Sequence, residues 1–369
     1  MRILHLNAGN ETGGGMHHIL GLMNELNKEE FILGVMEDGE LLKRANNAGI
    51  RTIYFPCHSR FSIPLMQRIK SYIQQEDIGC IHTHGPRANV YVNILKKIIP
   101  FQWVVTIHSN PFLDFMEKGM YGKVLCKLNL HAVRNADKII AISQPFKDCL
   151  MDANIDSEKI VTTLNGIDFK KRVESCYCKQ DFGIPEGDIV FLMVARLEEV
   201  KGHRIALEAF CELLKSSQNC HLMLAGDGSL QHELERMVAN LDLEKHVHFL
   251  GYRNDIEYFY QLADVTLLTS LSESFPLVLL ESAKVKTPVI STDVGGVGEL
   301  VVDKSLGWRI KPGNTRELLA AMKDALFFYN QGMLPLMGSK LYHHASTKFT
   351  LEILAENIYN VYQSMQDIK

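Results

Sequence analysis

Apolar positions along this chain fall into short blocks that alternate between two spacings. Short strand-like segments rich in apolar residues stand at 2–6, 31–36, 51–55, 78–84, 102–108 and 136–143. Between them the apolar residues recur at helical spacing, as in Ile19, Leu20, Leu22, Met23 and Leu26, and again over 40–48, 62–75, 86–98 and 116–138. Short strands bounded by turn residues and separated by amphipathic helices predict a parallel sheet covered on both faces. The stretch 161–188 breaks the rhythm with Asn-Gly, Phe-Gly and Pro-Glu-Gly turns and no sustained period, so it reads as a linker. The alternation then restarts with strands at 188–197, 221–229, 246–252 and 264–270, and helices at 203–216, 229–240, 255–261 and 277–284. The fold class expected is α/β, with two doubly wound, Rossmann-like domains, and a long amphipathic helix closes the chain through Leu351, Leu354, Ile358, Val361, Tyr362 and Met365.

Composition narrows the field without changing that picture. The 369 residues are 46% hydrophobic and 22% charged, enough for two cores. A net charge of −4 with no basic block gives no electrostatic footprint for nucleic acid. Eight scattered cysteines contain no Cys-x-x-Cys pair, which points to reduced thiols and away from a zinc site. No run of about 18 apolar residues occurs and the first apolar run is too short for a signal peptide, so the expected location is the cytoplasm. Lys118, Lys123, Lys127, Arg134 and Lys138 accompany Met116, Met120, Val124, Leu125 and Leu128 on one helical stretch. That face suits either solvent or anionic lipid headgroups at a membrane surface.

In a doubly wound sheet, ligands bind beyond the carboxyl ends of the strands, and the candidate chemistry collects there. Gly13, Gly14 and Gly15 follow the first strand and open a helix, a turn that either cradles a phosphate or simply reverses the chain. His82, His84 and His108 end two strands, and His108, followed by Ser109, Asn110 and Pro111, is the better candidate for a ligand contact. In the second domain Arg196 and Lys201 follow the first strand, Gly226, Asp227 and Gly228 the second, and Tyr252 the third. Two fixed cations at such an edge can hold a diphosphate and stabilise charge that develops as a bond to it breaks. After the fourth strand, Glu273, Ser274, Phe275 and Pro276 lead into a helix from Leu277 that contains Glu281. Its N-terminus favours an anion, and the two carboxylates, one at the rim and one in the wall, suit hydroxyl groups. Hydroxyl-rich and anionic together describe a nucleotide sugar.

The ordered series NGID (165–168), ARLEEVKG (195–202), AGDGSL (225–230), FLGYRND (249–255), ESFPLVLLE (273–281) and TDVGGVGEL (292–300) resembles the family-4 retaining glycosyltransferases of GT-B architecture. The likeness spans almost the whole chain and is more specific in the second domain than in the first. Two small departures are Ser274 where many members have Gly, and Val285-Lys286-Thr287-Pro288 where many have Gly-Xaa-Pro; neither removes a charged group.

The resemblance implies a fold of two Rossmann-like domains facing a central cleft. The boundaries are an acceptor-side domain over 1–168, a donor domain over 169–347, and a terminal helix over 348–369 that crosses back onto the first domain. It implies hexosyl transfer from a nucleotide diphosphate sugar, UDP-linked as the family-level choice, to a hydroxyl acceptor that is a glycan, a lipid-linked species or a small molecule. Arg196 and Lys201 would hold the diphosphate in place of a metal or other cofactor, Glu281 the ribose, and Glu273 the transferred sugar. Backbone groups of Ser274 to Leu277 would touch sugar and phosphate, those near Gly226, Asp227 and Tyr252 the nucleotide side, and Gly14 and Gly15 the diphosphate or acceptor. His108 would contact the sugar. Front-face attack, with the leaving phosphate taking the acceptor's proton, needs no general base among His84, His108 and Asp114. Two other readings share the architecture: a UDP-amino-sugar epimerase, and a nucleotide-sugar binding protein without turnover.

Overall fold

The computed structural model describes residues 1–11, 13–57, 62–109, 119–171 and 176–366. Asn110, Pro111, Asp114, Met116 and Lys118 lie outside them. The chain divides into two compact units, Met1–Gly166 with Leu351–Lys369, and Ile167–Thr350.

In the first unit the elements run β1 (Arg2–Asn7), α1 (Gly14–Glu25), β2 (Phe31–Val35), α2 (Glu40–Asn47), β3 (Thr52–Tyr54), α3 (Ile63–Gln75), β4 (Ile78–His84), α4 (Pro86–Leu95), β5 (Gln102–Ile107), α5 (Gly119–Arg134), β6 (Lys138–Ala141), α6 (Gln144–Asp152) and β7 (Ile160–Thr162). The second unit continues with β8 (Ile189–Val194), α7 (His203–Leu214), β9 (Cys220–Ala225), α8 (Gln231–Asn240), β10 (Val247–Gly251), α9 (Ile256–Leu262), β11 (Val265–Leu268), α10 (Leu277–Lys284), β12 (Val289–Thr292), α11 (Val297–Leu300), β13 (Gly307–Ile310), α12 (Thr315–Asn330) and α13 (Leu334–Lys348). The last helix, α14 (Leu351–Gln366), belongs to the first unit.

Among the described residues every strand pairing is parallel, in the orders β3-β2-β1-β4-β5-β6-β7 and β10-β9-β8-β11-β12-β13. Central strands such as β8 and β9 are apolar and buried along nearly their whole length, as sheets covered on both faces require. Both orders reverse once, between β1 and β4 and between β8 and β11. These are the switch points at which flanking loops diverge and leave a crevice at the carboxyl edge.

Local chemistry sets several helix ends. Ser62 Oγ accepts from the Leu65 N–H at 3.2 Å with Pro64 in the first turn of α3, and Asn314 Oδ1 accepts from the Glu317 N–H at 3.1 Å ahead of α12. Each such cap stabilises its helix by about 1 kcal/mol. In α14, Leu354, Ile358, Val361, Tyr362 and Met365 lie in the same core as Ile19, Leu22 and Met23 of α1.

Several expectations need correction. The linker region loses its first residues to β7, which pairs with β6 through Ile140 and Val161. α6 and α13 were not foreseen. Lys138 is not on the basic helix: it opens β6 and its Nζ donates to the Glu158 carbonyl at 3.0 Å. Arg134 ends α5 and donates to the Ala153 carbonyl at 2.7 Å.

Candidate active site

In the second unit, the loops that leave β8, β11 and β12 are stapled together at the switch point. Thr269 Oγ1 donates toward the carbonyls of Lys201 and Gly202 at 3.0 and 3.1 Å, and the Leu271 N–H donates to the Val200 carbonyl at 2.8 Å. Gly202 stands at φ 72°, and a Cβ there would lie 2.2 Å from the Thr269 carbonyl oxygen, so no other residue lets the loops approach this closely. Gly295 does the same for the turn after β12: at φ 53°, its Cβ would lie 2.2 Å from the Ser274 oxygen and 2.4 Å from that of Glu273. The Gly296 N–H donates to the Ser274 carbonyl at 2.9 Å.

The consequence is a single ion pair at the centre of that edge. Lys201 Nζ lies 2.6 Å from Glu273 Oε1, which also accepts from Ser270 Oγ at 2.7 Å. The sequence placed Lys201 and Glu273 on different parts of a ligand; the structure makes them partners. Ser270 was missed, although it lies one helical turn's spacing before Glu273. Arg196 is exposed, and its guanidinium pairs with Glu198 at 2.5 Å.

Pro276 occupies the N-cap position of α10, with φ −77° and ψ 104°. The first N–H groups of the helix, at Leu277 and Val278, follow it without intrahelical acceptors. Phe275 is buried, 5.4 Å from the Phe349 ring, so it anchors the loop and offers only its backbone to a ligand. Glu281 is part-buried and accepts from the Tyr260 hydroxyl at 2.9 Å. Burial raises its pKa above the ordinary glutamate value; the Tyr260 hydrogen bond and the Lys284 charge oppose that rise. Tyr260 lies 21 residues away, beyond the reach of any local pattern.

The turn after β9 folds against that after β8. A Cβ on Gly226, at φ 138°, would meet the Ala195 oxygen at 2.0 Å, and the Leu197 N–H donates to the Asp227 carbonyl at 2.7 Å. Asp227 itself is exposed. Tyr252 is also exposed, on a loop held by Arg253, which reaches Asp255 at 2.7 Å and the Tyr177 hydroxyl at 2.8 Å.

In the first unit, Asn7 bridges the β1/β4 switch point. Its Nδ2 donates to the His84 carbonyl at 2.9 Å, while its Oδ1 accepts from the Gly9 N–H at 2.6 Å. α1 starts at Gly14; nothing lies within 4 Å of a Cβ built there, whereas one on Gly15 would lie 2.7 Å from Glu11 Oε2 and 3.9 Å from His108 Cγ.

His108 is not alone. His84 Nδ1 and His108 Nε2 are 3.0 Å apart, and His5 Nδ1 and His84 Nε2 are also 3.0 Å apart. His82 contacts the Tyr362 hydroxyl at 2.5 Å and Thr106 Oγ1 at 2.7 Å, and the Tyr362 hydroxyl reaches His5 Nε2 at 3.1 Å. His18 Nδ1 meets Asn165 Oδ1 at 2.7 Å. Burial lowers the pKa of His5 to about 3 and of His18 to about 4, and holds His82, His84 and His108 well below the ordinary value, so all five are neutral at pH 7.

Two trios, His5, His82, His84 and His18, His84, His108, bring ring nitrogens within 4.8 Å of one another. A metal would need lone pairs converging on one point. The His84 ring instead uses both nitrogens in contacts to His5 and His108, each with ring centroids 5.2 Å apart. That separation is close to the N···N distance plus two ring radii, so both contacts run in line as hydrogen bonds and the trios form a chain. His5 and His18 were not singled out from the sequence, and Tyr362 was read only as part of the apolar stripe of the last helix.

Comparison with known proteins agrees with this geometry. The family model "Glycosyltransferase Family 4" matches residues 12–171, and "Glycosyl transferases group 1" matches 178–327. An Escherichia coli UDP-Gal:alpha-D-GlcNAc-diphosphoundecaprenol alpha-1,3-galactosyltransferase is 25% identical over 80% of either chain. The N-acetyl-alpha-D-glucosaminyl L-malate synthase of Bacillus anthracis is 26% identical over 74% of this chain and 72% of its own. Among solved structures, Anabaena HepE with UDP superposes at a TM-score of 0.87, with 22% identity, covering 99% of this chain and all of that one. With both halves matched in order, two parallel-sheet Rossmann-like units and relatives named for sugar transfer, the chain belongs to the family-4, group 1 glycosyltransferases of GT-B fold.

Proposed function

We propose that this glycosyltransferase is a retaining, metal-independent enzyme that moves a hexosyl group from a UDP-sugar to a hydroxyl acceptor in cell-surface glycan synthesis. The observation that carries the reading is the Lys201–Glu273 pair, at 2.6 Å on the β8/β11 switch point beside the N-terminus of α10. Lys201, Arg196 and the first N–H groups of α10 present positive charge to a diphosphate, where it stabilises the departing nucleotide. Glu273 Oε2 takes a hydroxyl of the transferred sugar, and Glu281, aimed by Tyr260, takes the ribose. A divalent cation at this edge would compete with Lys201 for Glu273, which supports a role for fixed cations in its place. UDP is favoured because Anabaena HepE was solved with UDP and with UDP-glucose, and because the Escherichia coli relative is named for UDP-Gal. That relative's undecaprenol-linked acceptor favours a lipid-linked substrate here too.

A cytoplasmic protein resting on a membrane fits α5. Its outer face exposes Met120 (84%), Val124 and Leu128 one turn apart, with Tyr121, Lys123 and Lys127 beside them. Among the described residues no helix is long and apolar enough to cross a membrane.

The test is a thermal-shift series with UDP, GDP and ADP, each without and with magnesium. UDP alone at 100 times its dissociation constant adds about 2.7 kcal/mol and raises the melting point by a few degrees; Arg196→Ala weakens the effect. No shift from any nucleotide at millimolar concentration would overturn the donor assignment. Turnover of a UDP-sugar without acceptor, with solvent hydrogen entering the sugar, would make the protein an epimerase.

A further inference from the structure

We propose that Thr106, His82, Tyr362, His5 and His84 form a one-way hydrogen-bond chain that fixes His108 as the Nδ1–H tautomer, a donor-only group toward substrate. The direction follows from the buried end. Thr106 is 1% exposed, and among the described residues His82 Nε2, at 2.7 Å, is the one partner of its hydroxyl. If that hydroxyl accepted from His82, its own proton would be buried without an acceptor, a costly arrangement. Thr106 therefore donates, and each later link is forced, because a neutral imidazole carries one N–H and one lone pair. His82 Nδ1–H donates to the Tyr362 oxygen, Tyr362 O–H to His5 Nε2, His5 Nδ1–H to His84 Nε2, and His84 Nδ1–H to His108 Nε2.

The premise that each imidazole is neutral has independent support. Burial depresses His5, His82, His84 and His108 and holds the Tyr362 hydroxyl protonated, its pKa raised well above the ordinary value. The far end is open: His108 is half-buried, and among the described residues its Nδ1 makes no hydrogen bond. With Nε2 occupied by His84, the ring has no lone pair to offer. It can donate to a hydroxyl or carbonyl oxygen, and it cannot take a proton from the acceptor. His84, His5, Tyr362, His82 and Thr106 are thus positioning residues. That His108 meets a substrate oxygen rests on the proposed function; the direction of the chain does not.

Tautomers can be read directly from the full chain labelled with 15N-histidine, using long-range 1H–15N correlation at neutral pH, with His108→Asn to assign the His108 signals. The expected result is a protonated Nδ1 and a bare Nε2 at His108. An Nε2–H tautomer, an even mixture or an imidazolium at His108 would overturn the proposal. Thr106→Val removes only the hydroxyl at the opposite end, so His108 should move toward a mixture of both tautomers, and Thr106→Ser should restore one. A His108 that stays Nδ1–H in Thr106→Val would show that the direction is set elsewhere and refute the chain. If Thr106→Val does not fold, Tyr362→Phe cuts the chain at its middle with the same expectation. Addition of UDP-glucose separates the two claims: a correct tautomer whose signals do not respond supports the chain and counts against the placement of His108 at the sugar.

Discussion

Replacing Lys201 by Met probes the centre of the second unit, and the structure changes what should follow. A Lys201 that only held a diphosphate would cost turnover when lost and leave stability almost unchanged. With Nζ 2.6 Å from Glu273 Oε1 and side chains 18% and 14% exposed, the attraction is about 6 kcal/mol at an effective dielectric near 20, and desolvation of both ends cancels much of it. What Lys201→Met leaves behind is a largely sequestered carboxylate with one remaining hydrogen bond, from Ser270. The expected loss is about 2–3 kcal/mol of folding stability, below the range for a fully buried pair because some water reaches the site. Lys201→Met with Glu273→Gln removes both charges while the amide still accepts from Ser270, so stability should return to within about 1 kcal/mol of the parent. Donor chemistry should not return: without the cation, turnover falls by about 10²–10³-fold in the single and the double variant alike. Urea unfolding and nucleotide release from the donor identified by thermal shift measure the two quantities. A Lys201→Met protein with parental stability would refute the electrostatic account of the pair, and one with parental turnover would refute the placement of the diphosphate.

Three further outcomes are expected. Gly295→Ala places a methyl group 2.2 Å from the Ser274 oxygen at a positive φ; the strain of a side chain there costs about 1–2 kcal/mol before the clash is counted, and UDP should no longer raise the melting point. Because burial raises the Glu281 pKa, the folded state favours its protonated form: its contribution to stability is full below the ordinary glutamate value and is lost as pH rises through the raised one. Nucleotide affinity should run the opposite way, weakening as pH falls through that window, and Glu281→Gln should flatten both trends; parallel trends in the parent would exclude a carboxylate contact to the nucleotide. The five neutral histidines clustered in the first unit have depressed pKa values, so their contribution to stability is full above the ordinary histidine value and is lost as pH falls below it. Each contributes a slope of up to about 1.4 kcal/mol per pH unit, and urea midpoints measured from pH 7 down to pH 5 should show more than one proton taken up on unfolding; a flat profile would mean that the cluster is already protonated when folded.

Much of the architecture was legible in the chain. Strand and helix periodicities, the glycine turns and the order of the motifs depend on neighbours within one element, so Ile78–His84 and Leu277–Lys284 could be read to the residue. The same reading placed Arg196, Lys201, Gly226, Glu273 and Glu281 on one edge of one sheet, because each follows a strand of the same parallel set. Only the tertiary structure decided which loops meet. The order β10-β9-β8-β11-β12-β13 puts the ends of β8 and β11 side by side, turning two acids and two cations into one Lys201–Glu273 pair, an exposed Arg196 and a Glu281 oriented by Tyr260. The histidine chain was harder still to foresee. His5 and Tyr362 are 357 residues apart and both look like core positions, and a polar group inside an apolar run is assigned a partner only when another strand or helix is packed against it. Periodicity reports which face of an element is buried; hydrogen bonding between buried side chains depends on what covers that face, and this is fixed by strand order and by the return of α14 to the first unit.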